Sequence, residues 1–230
     1  MIFIQATTNR EGIRRTDRMD KLSRRDREKL AREEEMISAA EQLFSQRGFD
    51  KVSMDEIAKE SQFTKRTLYQ YFESKEEIYF GVVVRGFQKI FVKLEEASNE
   101  TQTGFMRLQQ SCSHLYQFNK DHPEIFRIIG YTGYVKKKAV AESKRYREFL
   151  QWNSRVFEIV AKMIEEGKKD GSIQGNLDSQ TTSYSLIFLL TGFFNQLSAT
   201  GDSFTEHFST NMDDFGMGTI DLLMQTFKNK

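Results

Sequence analysis

The sequence predicts an all-α chain: an N-terminal unit of three helices with a helix-turn-helix, followed by a larger helical body. Three observations carry this. The 230 residues contain one proline, against roughly 5% in ordinary globular chains. Proline removes a helix donor and clashes with the preceding turn, so its scarcity leaves long helices uninterrupted. Apolar residues recur at three- and four-residue steps in segment after segment. Serine, threonine and glycine stand where helix ends need caps.

The first helix is predicted from about Ser23. Met36, Ile37, Ala40, Leu43 and Phe44 form one stripe, and Glu33, Glu34, Glu41 and Gln46 point elsewhere. Gly48 ends it, because a residue without Cβ reaches the left-handed conformation that satisfies terminal carbonyls. Ser53-Met54-Asp55-Glu56 is a capping box opening a short second helix through Ile57 and Ala58 to about Glu60. Ser61-Gln62-Phe63 is the turn, and Thr64 caps a third helix over Lys65–Phe72. Ser74-Lys75-Glu76-Glu77 reads as another capping box, starting a long helix through Ile78, Val82, Phe87, Ile90, Phe91 and Leu94 to about Ala97.

Two short helices across a tight turn make a helix-turn-helix. Leu68 and Phe72 complete a small core with the first stripe. Lys65, Arg66, Thr67, Tyr69, Gln70 and Tyr71 are left on or near the open face. Such side chains read nucleic acid: arginine and lysine suit guanine edges and phosphates, glutamine suits adenine, and hydroxyls suit phosphates. Charge agrees. The chain carries 34 Lys plus Arg against 33 Asp plus Glu, a net +1. Between Arg10 and Arg32, however, ten basic residues face five acids, which points to a polyanion met at one end.

Residues 32–78, above all Ser53–Ala58 and Thr64–Glu77, resemble the DNA-binding domain of the TetR family of bacterial repressors. The likeness implies that Thr64, Lys65, Thr67 and Tyr69 lie at the major groove or its phosphates, and that Ser53, Tyr71 and Lys75 hold flanking phosphates. Two positions depart from the pattern. Gln62 stands where glycine is usual and must take an uncommon backbone angle if the turn is kept. Arg66 stands where a small residue is common, early enough in the helix to reach a guanine. The expected division is a basic flexible arm over 1–22, a DNA-binding domain over 23–76, and an effector-binding and dimerisation domain over 77–230.

The body continues in helices. Thr103 caps one from Gly104 to about Asn119, and Pro123 opens a short one through Ile125, Phe126, Ile128 and Ile129. After Gly130–Gly133, a long helix from about Lys136 or Ala141 carries Phe149, Trp152, Val156, Phe157, Val160 and Ile164 to Gly171. Two more are expected over about Ser179–Ala199 and Thr205–Lys228. The first of these is apolar nearly all round, so it needs cover on every side. That predicts a subunit interface at Leu186, Leu190, Phe194, Phe215, Ile220 and Leu223, with Gly192, Gly216 and Gly218 permitting close approach. The resemblance implies the same, a homodimer formed through the last two helices. Two recognition helices about 34–36 Å apart match successive major grooves of a palindrome.

Fifteen of the 20 phenylalanines lie at or beyond residue 80. They supply an apolar pocket, with Phe91, Tyr116, Tyr131, Trp152, Phe157 and Phe188 as its candidate lining. The reading is a ligand-responsive transcriptional regulator, a repressor, released from double-stranded operator DNA by a hydrophobic or aromatic small molecule. The alternative is a protein-binding or inducer-independent DNA-binding adaptor on the same fold.

Other classes are disfavoured. No nucleophile elbow is present, and Gly130–Gly133 lacks the Lys-Ser/Thr of a phosphate loop, so no catalytic residues and no enzyme are expected. Cys112 is the lone cysteine, and His114, His122 and His207 have no metal-site spacing. No metal or cofactor is therefore expected. The run Leu186–Leu190 falls far short of the roughly 20 apolar residues of a membrane span. Met1–Ile4 is too short for a signal peptide, so the expected setting is the cytoplasm, away from membranes.

Overall fold

The structure, a computed structural model, describes residues 23–96, 102–135 and 140–229. Among these it forms α1 (Arg24–Arg47), α2 (Met54–Glu60), α3 (Lys65–Tyr71), α4 (Lys75–Glu96), α5 (Gly104–Asp121) and α6 (Pro123–Gly130). A single 3-10 turn (Tyr131–Gly133) follows, then α7 (Lys144–Lys169), α8 (Ser179–His207) and α9 (Met212–Gln225). The expected arm over 1–22 lies outside the described residues, as does Lys136.

Local chemistry fixes most helix ends. Ser23, Ser53, Thr64, Thr103, Ser143 and Asp178 each accept a backbone N–H of the first turn they precede. Gly48, at φ +78°, donates its N–H to the Phe44 carbonyl at 2.9 Å and ends α1. At α4 the expected capping box is altered. The Ser74 hydroxyl accepts from Glu77 N–H at 3.2 Å, but the Glu77 carboxylate takes the N–H of Glu73 at 2.9 Å.

Three expected boundaries are corrected. Helix α7 starts at Lys144, because the Ser143 hydroxyl accepts from Tyr146 N–H at 3.2 Å. Helix α8 does not stop near Ala199 but continues to His207. Gly201 is buried in it, and a Cβ there would meet Met212 Cε at 2.6 Å. This glycine serves a close approach rather than a helix end. Helix α9 begins at Met212, not Thr205, since Ser209 turns left-handed at φ 51° and the Asn211 side chain caps the N–H groups of Asp213 and Asp214.

Helix α4 is the hub. It packs on α1, α5, α6 and α7, while α8 lies on α6 and α7 and α9 lies on α5. One core runs from Met36 on α1 to Phe227 beyond α9. The DNA-binding unit predicted over 23–76 thus shares its interior with the body through Ile78, Tyr79 and Phe80. Among the described residues, no helix is long and apolar enough to cross a membrane.

Candidate nucleic-acid interface

The Ser53–Glu56 capping box does more than start α2. Glu56 Oε2 accepts from both the N–H and the hydroxyl of Ser53 at 2.8 Å, and its other oxygen meets Arg47 Nη1 at 2.7 Å. These Ser53 bonds, then Arg47, hold the Glu56 carboxyl down at about 2. Arg47 also donates to the Lys51 carbonyl at 2.8 Å. The end of α1 and the start of α2 are therefore tied by one carboxylate.

The turn keeps its shape at a cost. Gln62 adopts φ 59°, the left-handed angle that glycine takes without penalty. Phe63 N–H then reaches the Ala58 carbonyl at 2.9 Å, and Ser61 donates its hydroxyl to the Ile57 carbonyl at 2.7 Å.

Helix α3 starts where the Thr64 hydroxyl accepts from Thr67 N–H at 3.1 Å. Its own hydroxyl lies 2.8 Å from that of Thr67. Leu68 and Phe72 are buried and seat the helix. Lys65, Arg66, Tyr69 (49% exposed) and Gln70 face solvent, and Thr67 and Tyr71 are half-buried at the flanks. Lys65, Arg66, Tyr69 and Gln70 thus share the open side of α3.

Two of the residues predicted for DNA contact have partners the sequence does not announce. Lys65 forms an ion pair with Asp55 on α2 at 2.8 Å, and both side chains remain largely exposed. That carboxylate, by hydrogen bond and by charge, raises the lysine pKa. Lys75 is turned inward. Its ammonium donates to the Phe49 and Val52 carbonyls at 2.8 Å each and lies 4.1 Å from the Phe49 ring centroid. It is a strut for the α1–α2 loop, with one N–H remaining for anything else.

One cation escaped the motif. Lys29 Nζ lies 6.0 Å from the ring centroid of Tyr71. Arg25, Lys29 and Arg32 are exposed and lead at helical spacing into buried Met36. The core-facing stripe of α1 thus continues as a basic stripe past the edge of the core, beside α3. The charge count marked this region; only the helical phase with Met36 gives the face.

The candidate pocket residues do not meet in one cavity. The apolar cavity of the body, about 50 Å³, is lined by Phe87, Ile90, Cys112, Phe126, Val156 and Leu186, among others, and by none of the six predicted residues. Phe91 meets Trp152 at 5.4 Å, with the Arg155 guanidinium over both rings. Tyr116 donates to the Met212 carbonyl at 2.9 Å, and Phe157 meets Tyr184 at 5.1 Å. Phe188 is 73% exposed. Tyr131 sits between α6 and the α1–α2 loop, against Phe49 and Asp50.

The interface residues divide. Leu186, Leu190, Phe194 and Ile220 are buried within the chain itself, and Leu186, Leu190 and Phe194 line the cavity. They cannot be a free surface. Phe215 and Leu223 are half-buried, Phe215 lying against Phe193 and Phe204. Gly216 approaches Tyr116 of the same chain. What stays open on α8 is Phe188, Leu189 and Gly192, and on α9 Gly218 and Leu222, neither glycine having a neighbour within 4 Å of a would-be Cβ. A helix apolar on all sides gives no angular contrast, which is why periodicity chose the inward residues.

Comparison with known proteins agrees with this geometry. Residues 36–82 match the profile of bacterial regulatory proteins of the tetR family. The HTH-type transcriptional activator FasR of Mycolicibacterium smegmatis is 29% identical over 130 residues, 56% of each chain. An uncharacterized HTH-type transcriptional regulator of Haemophilus influenzae is 29% identical over 92 residues, 40% of this chain and 49% of that one. The chain therefore spans about half the length of these curated relatives. The solved structure of AibR in complex with isovaleryl coenzyme A and operator DNA has the same fold, with a TM-score of 0.57 at 17% identity. The match covers 71% of this chain and 85% of that one. With the capped α2–turn–α3 unit lying inside the matched segment, the part of the chain that carries the helix-turn-helix is similar to bacterial regulatory proteins of the tetR family.

Proposed function

We propose that the protein is a DNA-binding transcriptional regulator that reads a palindromic operator as a homodimer and is released by an apolar small molecule. The observation that carries this is the face of α3. Arg66, Tyr69 and Gln70 are exposed together while Leu68 and Phe72 anchor the opposite side in the core. A short helix so held presents base-reading groups without having to order them on binding.

Dimerisation follows from what the body leaves uncovered. Phe188 and Leu222, each 73% exposed, stand with open glycines on the last two helices. A second copy is the occupant that a palindrome requires. Repression rather than activation is the family's usual mode, and the FasR relative, named as an activator, marks the other outcome.

The effector reading rests on the apolar cavity between α4, α5, α6, α7 and α8. AibR is a neighbour in fold that holds an acyl coenzyme A, and an acyl group of that kind suits a lining of Phe, Leu, Ile and Val side chains. At about 50 Å³ the cavity has room for only a few waters, each needing about 10–15 Å³. An effector must therefore spread the helices to enter. The small volume also favours a second reading, a regulator that binds DNA without an inducer.

Selection of bound fragments from genomic DNA, followed by anisotropy titration with and without acyl-coenzyme A esters of graded length, tests this. Enrichment of one inverted repeat, bound by two subunits and released by one ester class, is the expected result. Sequence-independent binding alone contradicts the proposal. Specific binding indifferent to every ester selects the inducer-independent reading.

A further inference from the structure

Helix α1 carries the DNA-reading unit, and arginines on two body helices grip it. Arg85 on α4 donates to the Ser38 hydroxyl at 2.9 Å, to the Glu41 carboxylate at 2.7 Å and to Glu34 through both its carbonyl and its carboxylate. Arg145, at the first turn of α7, reaches Glu33 of α1 with one nitrogen and Glu148 of its own helix with another, the latter at 2.7 Å. Helix α7 packs along α4 rather than α1, so the long side chain spans the gap. Gly81 of α4 lets α1 come close: a Cβ there would meet Ile37 Cδ1 of α1 at 3.0 Å, with Arg145 Cδ at an ordinary contact distance of 3.8 Å.

The Arg145–Glu33 pair differs from the Arg85 grip in its burial. Both of its side chains are only 11% exposed. Arg145 Nε is buried with no hydrogen-bond partner among the described residues. Buried pairs pay heavy desolvation, and an apolar pair of similar volume commonly matches or exceeds them in stability. An incompletely satisfied pair is therefore poorly explained by stability. What it supplies is direction, because the guanidinium fork meets a carboxylate in few geometries.

We infer that Arg145 is a positioning residue: its bond to Glu33 sets the angle at which α1, with α2 and α3 upon it, leaves the body. It thereby sets the separation of the two recognition helices. This rests on the dimeric, operator-binding reading above. The lever is long. Glu33 stands 14 residues before the Arg47 end of α1, about 21 Å along the axis, so a pivot there of about 8° moves that end by about 3 Å. That is close to the rise of one base pair, about 3.4 Å.

The test uses the full chain and the operator selected from genomic DNA, as duplexes with zero, one or two base pairs inserted at the dyad. Each inserted pair rotates one half-site by about 35°. The wild-type chain is expected to lose roughly tenfold or more in affinity on the first insertion, since the half-sites leave register. Arg145→Met alone strands the Glu33 charge, so the informative variant is the double replacement E33M/R145M, which removes both charges. It is expected to keep the wild-type melting temperature or exceed it, to bind the parent operator within about threefold, and to lose only about threefold or less on insertion. Discrimination at the wild-type level in a folded E33M/R145M protein overturns the inference and leaves operator binding intact. A wild-type chain that selects no operator overturns both.

Discussion

The hydroxyl of Tyr131 donates to the carboxylate of Asp50, fastening the 3-10 turn that closes α6 to the loop between α1 and α2. The carboxylate, through this bond first, raises the phenol pKa. Around it stand Phe49 at 5.8 Å and Tyr79 at 6.4 Å. Tyr79 itself donates to the Ile128 carbonyl, and burial pushes its phenol upward. Body and DNA-reading unit thus meet through a ring cluster closed by one exposed bond. Tyr131→Phe keeps the rings and removes the bond. Urea melts are expected to show a loss of about 0.5–1.5 kcal/mol, and no loss at all contradicts the fastening role.

Gln62 holds φ 59°, a left-handed angle costing roughly 1–2 kcal/mol for a residue with Cβ. Gln62→Gly removes that strain but frees the unfolded chain, so the net expectation is stabilisation of up to about 1 kcal/mol. Denaturant melts decide it, and destabilisation means the Gln62 side chain contributes something the turn geometry does not reveal.

Glu56 titrates at about 2 in the folded protein against an ordinary value of 4.5. A folded-state pKa below the unfolded one stabilises at pH above the unfolded value and is lost as pH falls through the folded one. The stability difference between wild type and E56Q is therefore expected to be full above pH 4.5 and to shrink toward pH 2. Urea midpoints across that range measure it, and a difference independent of pH contradicts the assignment.

The face of α1 beside α3 gives a prediction in salt. The triple replacement R25A/K29A/R32A is expected to flatten the slope of log affinity against log salt by about 0.9 for each phosphate no longer neutralised, leaving sequence preference unchanged. Arg66→Ala is expected to do the reverse, costing about 1–3 kcal/mol and relaxing one base-pair position. Titrations at several salt concentrations on operator and scrambled duplexes separate the two, and an unchanged slope removes the basic stripe from the interface.

The two sides of α8 make opposite predictions. F188E, on the open face, is expected to yield folded monomers by sedimentation with unchanged far-ultraviolet dichroism. L190A, on the cavity side, is expected to cost about 2–5 kcal/mol of stability and to leave assembly intact. A dimer surviving both F188E and L222E contradicts the proposed interface.

What the sequence disclosed follows from how local each signal is. Ser53 with Glu56, Thr64 with Thr67, and Gly48 with Phe44 act within four residues, so the helix ends of the DNA-reading unit were legible. The strained angle at Gln62 was legible too, from the absence of glycine in a turn that needs it. The orientation of α8 was not, because Leu186 to Leu190 is apolar in every direction. Nor was the end of α8, which runs on through Gly201, where that glycine admits Met212, to His207. Lys65–Asp55 and Arg145–Glu33 join residues 10 and 112 positions apart, and no periodicity encodes such pairs.

The most direct measurement is the affinity of the full chain for its selected operator and for a scrambled duplex, before and after K65A/T67A/Y69A. The exposed face of α3 predicts that the triple variant stays folded through Leu68 and Phe72. It also predicts at least a hundredfold loss on the operator, about 2.7 kcal/mol, converging on the affinity for scrambled DNA. Operator affinity equal to that of the unaltered chain contradicts the assignment of α3 as the reading helix.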